Sequence, residues 1–169
     1  MGYVHLEDIC QFVAPSVIAK SAGTWTPTLA TNLISDVRTA ADTSFNLFIP
    51  LQLPGSEVQL QGAKIKSVDV WYKVATSALD SFDDVVVTQQ TLSATGVAVA
   101  GAAIASSCDA AHDSDAERKA TGDHKMTVTI TTPIFIEKNT AYILRLGANA
   151  GASTVFTLFG AQVNYTLRI

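Results

Sequence analysis

The stretch Val68-Asp69-Val70-Trp71-Tyr72-Lys73-Val74-Ala75 decides the fold. Val68, Val70, Tyr72 and Val74 occupy alternate positions, with Asp69, Trp71, Lys73 and Ala75 between them. Side chains of an extended chain point to opposite faces with a period of two, so this segment reads as a half-buried strand. The same period runs through Met126, Val128 and Ile130 against Lys125, Thr127, Thr129 and Thr131. It returns in Ala161, Val163, Tyr165, Leu167 and Ile169 against Gln162, Asn164, Thr166 and Arg168. Phe45, Leu47, Ile49, Leu51 and Leu53 alternate likewise with Asn46, Phe48, Pro50 and Gln52. Weaker strand signals fall at 84–92, 97–104 and 141–146.

Turn chemistry separates these runs. Pro54-Gly55, Gly62, Gly122-Asp123, Lys138-Asn139 and the run 147–153 mark corners. Pro50 cannot donate to a ladder, which places it on a strand edge or at a bulge. Short strands at regular spacing without a long amphipathic helix predict an all-β, antiparallel two-sheet sandwich. About eight strands in one domain favour a jelly-roll-like topology, with the sandwich spanning residues 43–169.

Two segments break the period. Residues 1–42 carry Ile9, Phe12, Val13, Val17, Ile18, Trp25, Leu29, Leu33 and Ile34 without sustained alternation. They read as an extended N-terminal arm that attaches to the sandwich or to a neighbour. Residues 106–123 are polar and read as a long excursion between strands with one helical turn.

Composition narrows the function. The chain has 169 residues, 48% hydrophobic and only 15% charged, with 24 Ala, 19 Thr, 16 Val and 13 Ser. Soluble domains usually carry about 25% charge. The apolar content excludes a disordered tail, and a net charge of −4 supplies no basic excess for nucleic acid. A surface of small neutral residues suits packing against other protein. No run approaches the ~18 apolar residues of a membrane helix. Residues 1–20 carry Glu7 and Asp8 and no basic leader or uninterrupted apolar core, unlike a secretory leader, so a protein made and kept in the cytoplasm, or released by a route other than secretion, is expected. Cys10 and Cys108 stand far apart and read as two reduced thiols.

Candidate chemistry is sparse. Asp109, Asp113, Asp115 and Glu117 present oxygens that Ca²⁺ accepts, but the loop lacks the calcium-hand glycine and Arg118 and Lys119 offset its charge. A solvated loop is the better reading. Ser114 beside His112 and Asp113 makes no persuasive nucleophile–base set, because no strained turn presents the serine. His5 and His124 are isolated, and phosphate-cradling glycine motifs are absent. No enzyme, cofactor or metal is expected.

Two features point to contacts instead. Trp71 falls on the face opposite Val70 and Tyr72, where it could stack on a sugar or bury in a subunit contact. The run Val155-Phe156-Thr157-Leu158-Phe159 is apolar on both faces. Either the N-terminal segment or a neighbouring subunit must cover the second face, and the low charge favours the subunit.

The segments 53–92 and 122–168 resemble a group of mostly uncharacterised proteins encoded in tailed-phage genomes and viral metagenomes. The matching positions are 62–74, 124–133, 142–146 and 156–167, which include Gly62-Ala63, His124-Lys125, Tyr142 and Asn164-Tyr165. The resemblance covers a little over half of the chain and leaves residues 1–42 outside. It implies a virion role, such as a head decoration or cement protein or a short head fibre, and it carries no catalytic residue.

The expectation is therefore a capsid decoration protein, a homotrimer located in the virion. It would bridge capsomers by binding the major capsid protein or another virion protein, without nucleic acid or membrane. Phe12, Val17, Ile18, Trp25, Trp71, Phe156 and Leu158 are its expected interface residues. The alternative is a carbohydrate-binding sandwich with a glycan stacked on Trp71 or Trp25.

Overall fold

The alternating runs become strands whose apolar faces meet in one core. The computed structural model describes residues 9–30, 32–53, 63–92, 95–96 and 101–167. The corners expected at Pro54-Gly55 and Gly62, and the strand signal at 97–100, lie outside the described residues. Among the described residues there are twelve strands: β1 (Ile9–Val13), β2 (Ala19–Lys20), β3 (Trp25–Ala30), β4 (Leu33–Arg38), β5 (Thr43–Pro50), β6 (Ala63–Ala75), β7 (Ser81–Thr91), β8 (Ala102–Ile104), β9 (Ser106–Cys108), β10 (Gly122–Phe135), β11 (Thr140–Ala150) and β12 (Val155–Leu167). The described residues also hold a 3-10 turn at Pro15–Val17 and one helical turn, α1 (Asp115–Arg118).

One sheet has the order β3-β4-β12-β6-β10-β9, with β1 also on β12; the other is β2-β5-β11-β7-β8. Eight of these strands form the central framework: β4, β5, β6, β7, β8, β10, β11 and β12. Numbered in chain order, they run first-eighth-third-sixth in one sheet and second-seventh-fourth-fifth in the other. That is a jelly roll. The remaining strands, β1, β2, β3 and β9, extend its edges.

Inner-face residues follow the sequence period. Val68, Val70, Tyr72 and Val74 of β6, Met126, Val128 and Ile130 of β10, and Phe45, Leu47 and Ile49 of β5 are all buried. Tyr142, Leu144 and Leu146 of β11 join them, although the expected corner at 147–153 begins late because β11 continues to Ala150. Pro50 ends β5 beyond the two residues that β2 pairs, so its missing N–H leaves no ladder bond unmade.

The N-terminal segment is not a separate arm. β1 pairs with β12, β2 with β5, and the hairpin β3–β4 with β12 through β4, so the strands of this segment enter both sheets. Ile18 is 2% exposed and lies in the core. Its expected role at an interface is therefore corrected: it packs inside its own chain.

The same correction applies to Phe156 and Leu158, which are 1% and 0% exposed. β12 holds a bulge between Leu158 and Gly160, where Trp71 pairs with Gly160 and Phe159 is the extra residue. One inserted residue flips every following side chain to the other face. Phe156 and Leu158 thus share the inner face with Ala161, Val163 and Tyr165, despite their opposite parity in sequence. Val155, Thr157 and Phe159 form the outer face and are half-buried.

The bulge also divides the edge of β12 between two strands. β4 pairs with Phe156, Thr157 and Leu158, and β1 takes over from Ala161 to Tyr165. Gly160 lies at the changeover with φ +129°, and a Cβ there would stand 2.7 Å from the Phe12 ring and 2.9 Å from the Val13 carbonyl. Gly160→Ala is expected to cost about 1–3 kcal/mol by backbone strain and overpacking, read as a lower urea midpoint at unchanged slope. An unchanged midpoint would mean that β1 is not packed against Gly160.

Candidate functional site

The site is built where β4 leaves the sheet. In β3–β4 the cross-strand pairs Trp25–Arg38, Pro27–Asp36 and Leu29–Ile34 share one face. At its root this face is core: Trp25 meets Phe45 and Phe156 edge-on, with centroids 5.7 and 6.2 Å away. The Trp25 indole N–H donates to the Ala22 carbonyl at 2.9 Å. Trp25, expected at an interface, is therefore half-buried against its own core.

Arg38 is fully buried beside it. Its guanidinium lies 4.7 Å from the centre of the Phe45 ring and donates to Thr43 Oγ1 at 2.6 Å and to the carbonyls of Thr43 and Ala41. Burial lowers its pKa, since no carboxylate among its hydrogen-bond partners offsets the lost water.

One step outward, Lys20 seals the polar group. Its ammonium pairs with Asp36 Oδ2 at 2.5 Å and donates to the carbonyls of Pro15 at 2.7 Å and Ile18 at 2.9 Å. All three ammonium protons are thereby engaged. The next pair, Leu29 and Ile34, is the continuation of the core face, with none of the described residues burying it. Leu29 is 77% and Ile34 51% exposed, and Leu33 at the tip is exposed as well. β4 no longer pairs with β12 at these residues, so the hairpin overhangs the sandwich as an apolar ledge.

Phe12 and Val17 are also exposed, and β1 and β4 share the side of β12 opposite β6. Of the seven expected interface residues, these two present themselves to solvent. Leu29, Leu33 and Ile34 are the additions. Sequence carries only a broken signal for Leu29, where Thr24, Thr26 and Thr28 alternate with Trp25, Pro27 and Leu29 but Pro27 interrupts the apolar parity.

Trp71 does point outward, half-buried on the outer face of the larger sheet. The Lys125 ammonium lies 5.5 Å from its ring centre. Next to it Asp69, largely buried, accepts from Thr127 Oγ1 at 2.6 Å and Asn164 Nδ2 at 3.3 Å and pairs with Lys125 at 3.3 Å. The result is a polar strip around one aromatic ring.

The excursion after β9 is internally bonded. Ser114 caps α1: its hydroxyl donates to Glu117 Oε2 at 2.8 Å and accepts from the Glu117 N–H, so it is a cap and not a poised nucleophile. Asp115 accepts from the Phe82 N–H at 2.5 Å and pairs with Lys119. These bonds hold its carboxyl below the usual range. Asp113 is pushed upward by the neighbouring Glu117. Among the described residues, no three metal-ligating side chains converge. Cys10 is exposed, Cys108 half-buried, and both are free thiols; burial pushes the Cys108 thiol up.

His112 and His124, isolated in sequence, are neighbours in space. His112 Nδ1 lies 2.8 Å from Asp109 Oδ1, and its Nε2 lies 3.2 Å from His124 Nδ1. His124 Nε2 faces the Ala120 carbonyl at 2.9 Å, and its ring stacks on Tyr72 with centroids 4.7 Å apart. The chain of contacts fastens the excursion to β6 and β10.

Burial alone would raise the Asp109 pKa, but the Thr127 N–H, the His112 ring and the Ala111 N–H outweigh it and hold the carboxyl low. A carboxylate depressed by folding stabilises above its unfolded pKa, and that contribution fades as pH falls through the folded value. We expect Asp109→Asn to reduce stability near pH 6 and to flatten the loss between about pH 5 and 2 relative to wild type, followed by urea unfolding. Parallel pH curves for the two proteins would contradict this.

No protein-family model matches the sequence, and no curated protein is similar to it. Among solved structures, one similar chain is the family 32 carbohydrate-binding module of C. perfringens NanJ in complex with galactose. It is 15% identical, covers 92% of this chain and 99% of its own, and superposes with a TM-score of 0.31. A likeness at that level carries no argument about function. What stands is the class: an antiparallel two-sheet β-sandwich of jelly-roll topology.

Proposed function

We infer that the chain is a non-enzymatic structural protein of a phage particle, a decoration or cement protein that stabilises the head by bridging capsomers. The observation that carries this reading is the exposure of apolar side chains along the edge of the larger sheet beyond β12: Phe12 on its outer face, Val17 in the 3-10 turn, and Leu29 and Ile34 past the core on its inner face. Exposed apolar side chains along one sheet edge suit protein contact, and burying them against a lattice adds area that resists internal pressure. The scarcity of charge and the resemblance of the later strands to proteins encoded in tailed-phage genomes support the same reading. The major capsid protein or another virion protein is the partner.

The test is cosedimentation of the purified protein with purified heads. Wild type is expected to pellet with them. The double variant Phe12→Asp/Val17→Asp should bind roughly tenfold or more weakly while keeping its circular dichroism spectrum. Wild type that stays in the supernatant at micromolar concentration would contradict the reading.

A second reading rests on Trp71. Its half-buried ring, with the Lys125 ammonium over it and Lys125 in turn paired with Asp69, supports a glycan-binding face. In that case Trp71→Ala abolishes binding to a glycan array and leaves head binding untouched.

A further inference from the structure

We propose that His112 and His124 form a proton-gated latch, closed when one proton lies between His112 Nε2 and His124 Nδ1 and open when that proton is lost or a second arrives. The latch ties residues 109–121 to the start of β10 and does not depend on what the chain binds. Donor counting leads to it. His124 Nε2 faces the Ala120 carbonyl at 2.9 Å, and a carbonyl only accepts, so this nitrogen carries a proton. His112 Nδ1 faces Asp109 Oδ1 at 2.8 Å. Asp109 also accepts from the Ala111 N–H at 3.1 Å and the Thr127 N–H at 2.6 Å, so it is a carboxylate. His112 Nδ1 therefore carries a proton as well.

The two remaining nitrogens, His112 Nε2 and His124 Nδ1, face each other at 3.2 Å. Two neutral rings would oppose lone pairs there, and two imidazolium rings would oppose N–H groups. Both arrangements repel, whereas one proton makes a charge-assisted N–H···N hydrogen bond. The closed pair then carries a single positive charge beside the Asp109 carboxylate, as a buried His112 requires.

The groups around the latch keep their own protonation. From β6, Tyr72 stacks on His124, its hydroxyl donates to the Arg118 carbonyl, and burial raises its pKa so that it stays neutral. From β9, the Cys108 thiol is pushed up by burial in the same way. From α1, the Arg118 guanidinium is bonded to the His112 and Asp113 carbonyls, while Asp113 and Glu117 are exposed and engage each other. On β10, Asp123 and Lys125 alternate with His124 and pair with Lys73 and Asp69 on the outer face.

Asp109 is held low, so it stays ionised across the range in which histidines ordinarily titrate, about pH 5–8. Both limbs of the gate therefore belong to the rings. The closed pair binds one proton more than two neutral rings and one fewer than two imidazolium rings. Closure is lost as pH rises and also as pH falls.

The test is NMR of the ¹⁵N-labelled full chain from about pH 4 to 9, which brackets the histidine range. A scalar coupling across the hydrogen bond between His112 Nε2 and His124 Nδ1 is expected at intermediate pH and should vanish at both ends. Amides of 110–121 should lose roughly tenfold in protection relative to β6 at both ends. His124→Gln should abolish this bell shape and keep the circular dichroism spectrum. The coupling is read on wild type, so the proposal stands or falls even where the variant does not fold. No coupling at any pH, or a coupling that persists to either end, overturns the proposal. So does protection lost on the acid side alone, which assigns the response to Asp109, and so does a bell shape that survives His124→Gln.

Discussion

Replacing Phe156 by alanine lowers the free energy of unfolding by about 3–5 kcal/mol. The ring is 1% exposed and sits at the centre of an aromatic cluster. Its centroid is 5.2 Å from Phe45, 5.4 Å from Tyr72 and 6.2 Å from Trp25. Deleting it removes the transfer energy of a phenyl group and leaves a cavity that three rigid rings cannot collapse into. Each aromatic pair adds about 0.5–1.5 kcal/mol beyond its area. The measurement is equilibrium urea unfolding at pH 7. If the ring served a subunit contact instead, the variant would lose its oligomer and keep its stability, and a loss under about 1 kcal/mol would support that view.

Arg118→Ala is the second large effect, also about 3–5 kcal/mol. Arg118 is 8% exposed and stitches the excursion to the sandwich. Its Nε donates to the Phe82 carbonyl at 2.9 Å, and Nη1 donates to the carbonyls of His112 at 2.8 Å and Asp113 at 3.0 Å. Its own carbonyl accepts from the buried Tyr72 hydroxyl at 2.9 Å. Alanine leaves three carbonyls without their donor, and an unsatisfied buried acceptor costs about 1–3 kcal/mol.

Hydrogen exchange separates this effect from a general loss of stability. The amides of 109–120 should exchange at least tenfold faster than those of β6, because the excursion opens locally first. Arg118→Lys is expected to recover less than half of the loss, since one ammonium cannot reproduce the fork of the guanidinium. Uniform acceleration across the sandwich would show that Arg118 supports the core and not the excursion.

The fold was legible wherever one parity held along a whole strand. β5, β10 and the part of β6 from Val68 to Val74 keep a single alternation, so their inner faces can be read directly. β12 does not, because Gly160 absorbs an extra residue and joins two runs of opposite parity. Read without the bulge, Phe156 and Leu158 look like a second, uncovered face. In the structure they are the first face, and the assignment of a subunit contact to them fails for that reason.

The N-terminal segment was opaque for a different cause. β1, β2 and the 3-10 turn are too short to show a period, and Pro27 interrupts the one in β3. Its side chains divide by long-range geometry that no local pattern carries: Ile18 enters the core, while Val17 beside it is 61% exposed. The ledge is the same problem in reverse. Leu29 and Ile34 keep a core-facing parity but lie past the point where β1 displaces β4 from β12. Only the pairing of the strands reveals that no described strand covers them.

A structural component of a phage particle stays with that particle through purification. The decisive measurement is quantitative mass spectrometry of gradient-purified particles from a phage whose genome carries this sequence. Under the proposed function its peptides appear at a fixed ratio to the major capsid protein, unchanged through repeated gradients. Peptides that wash out with host proteins, or none at all, would contradict it.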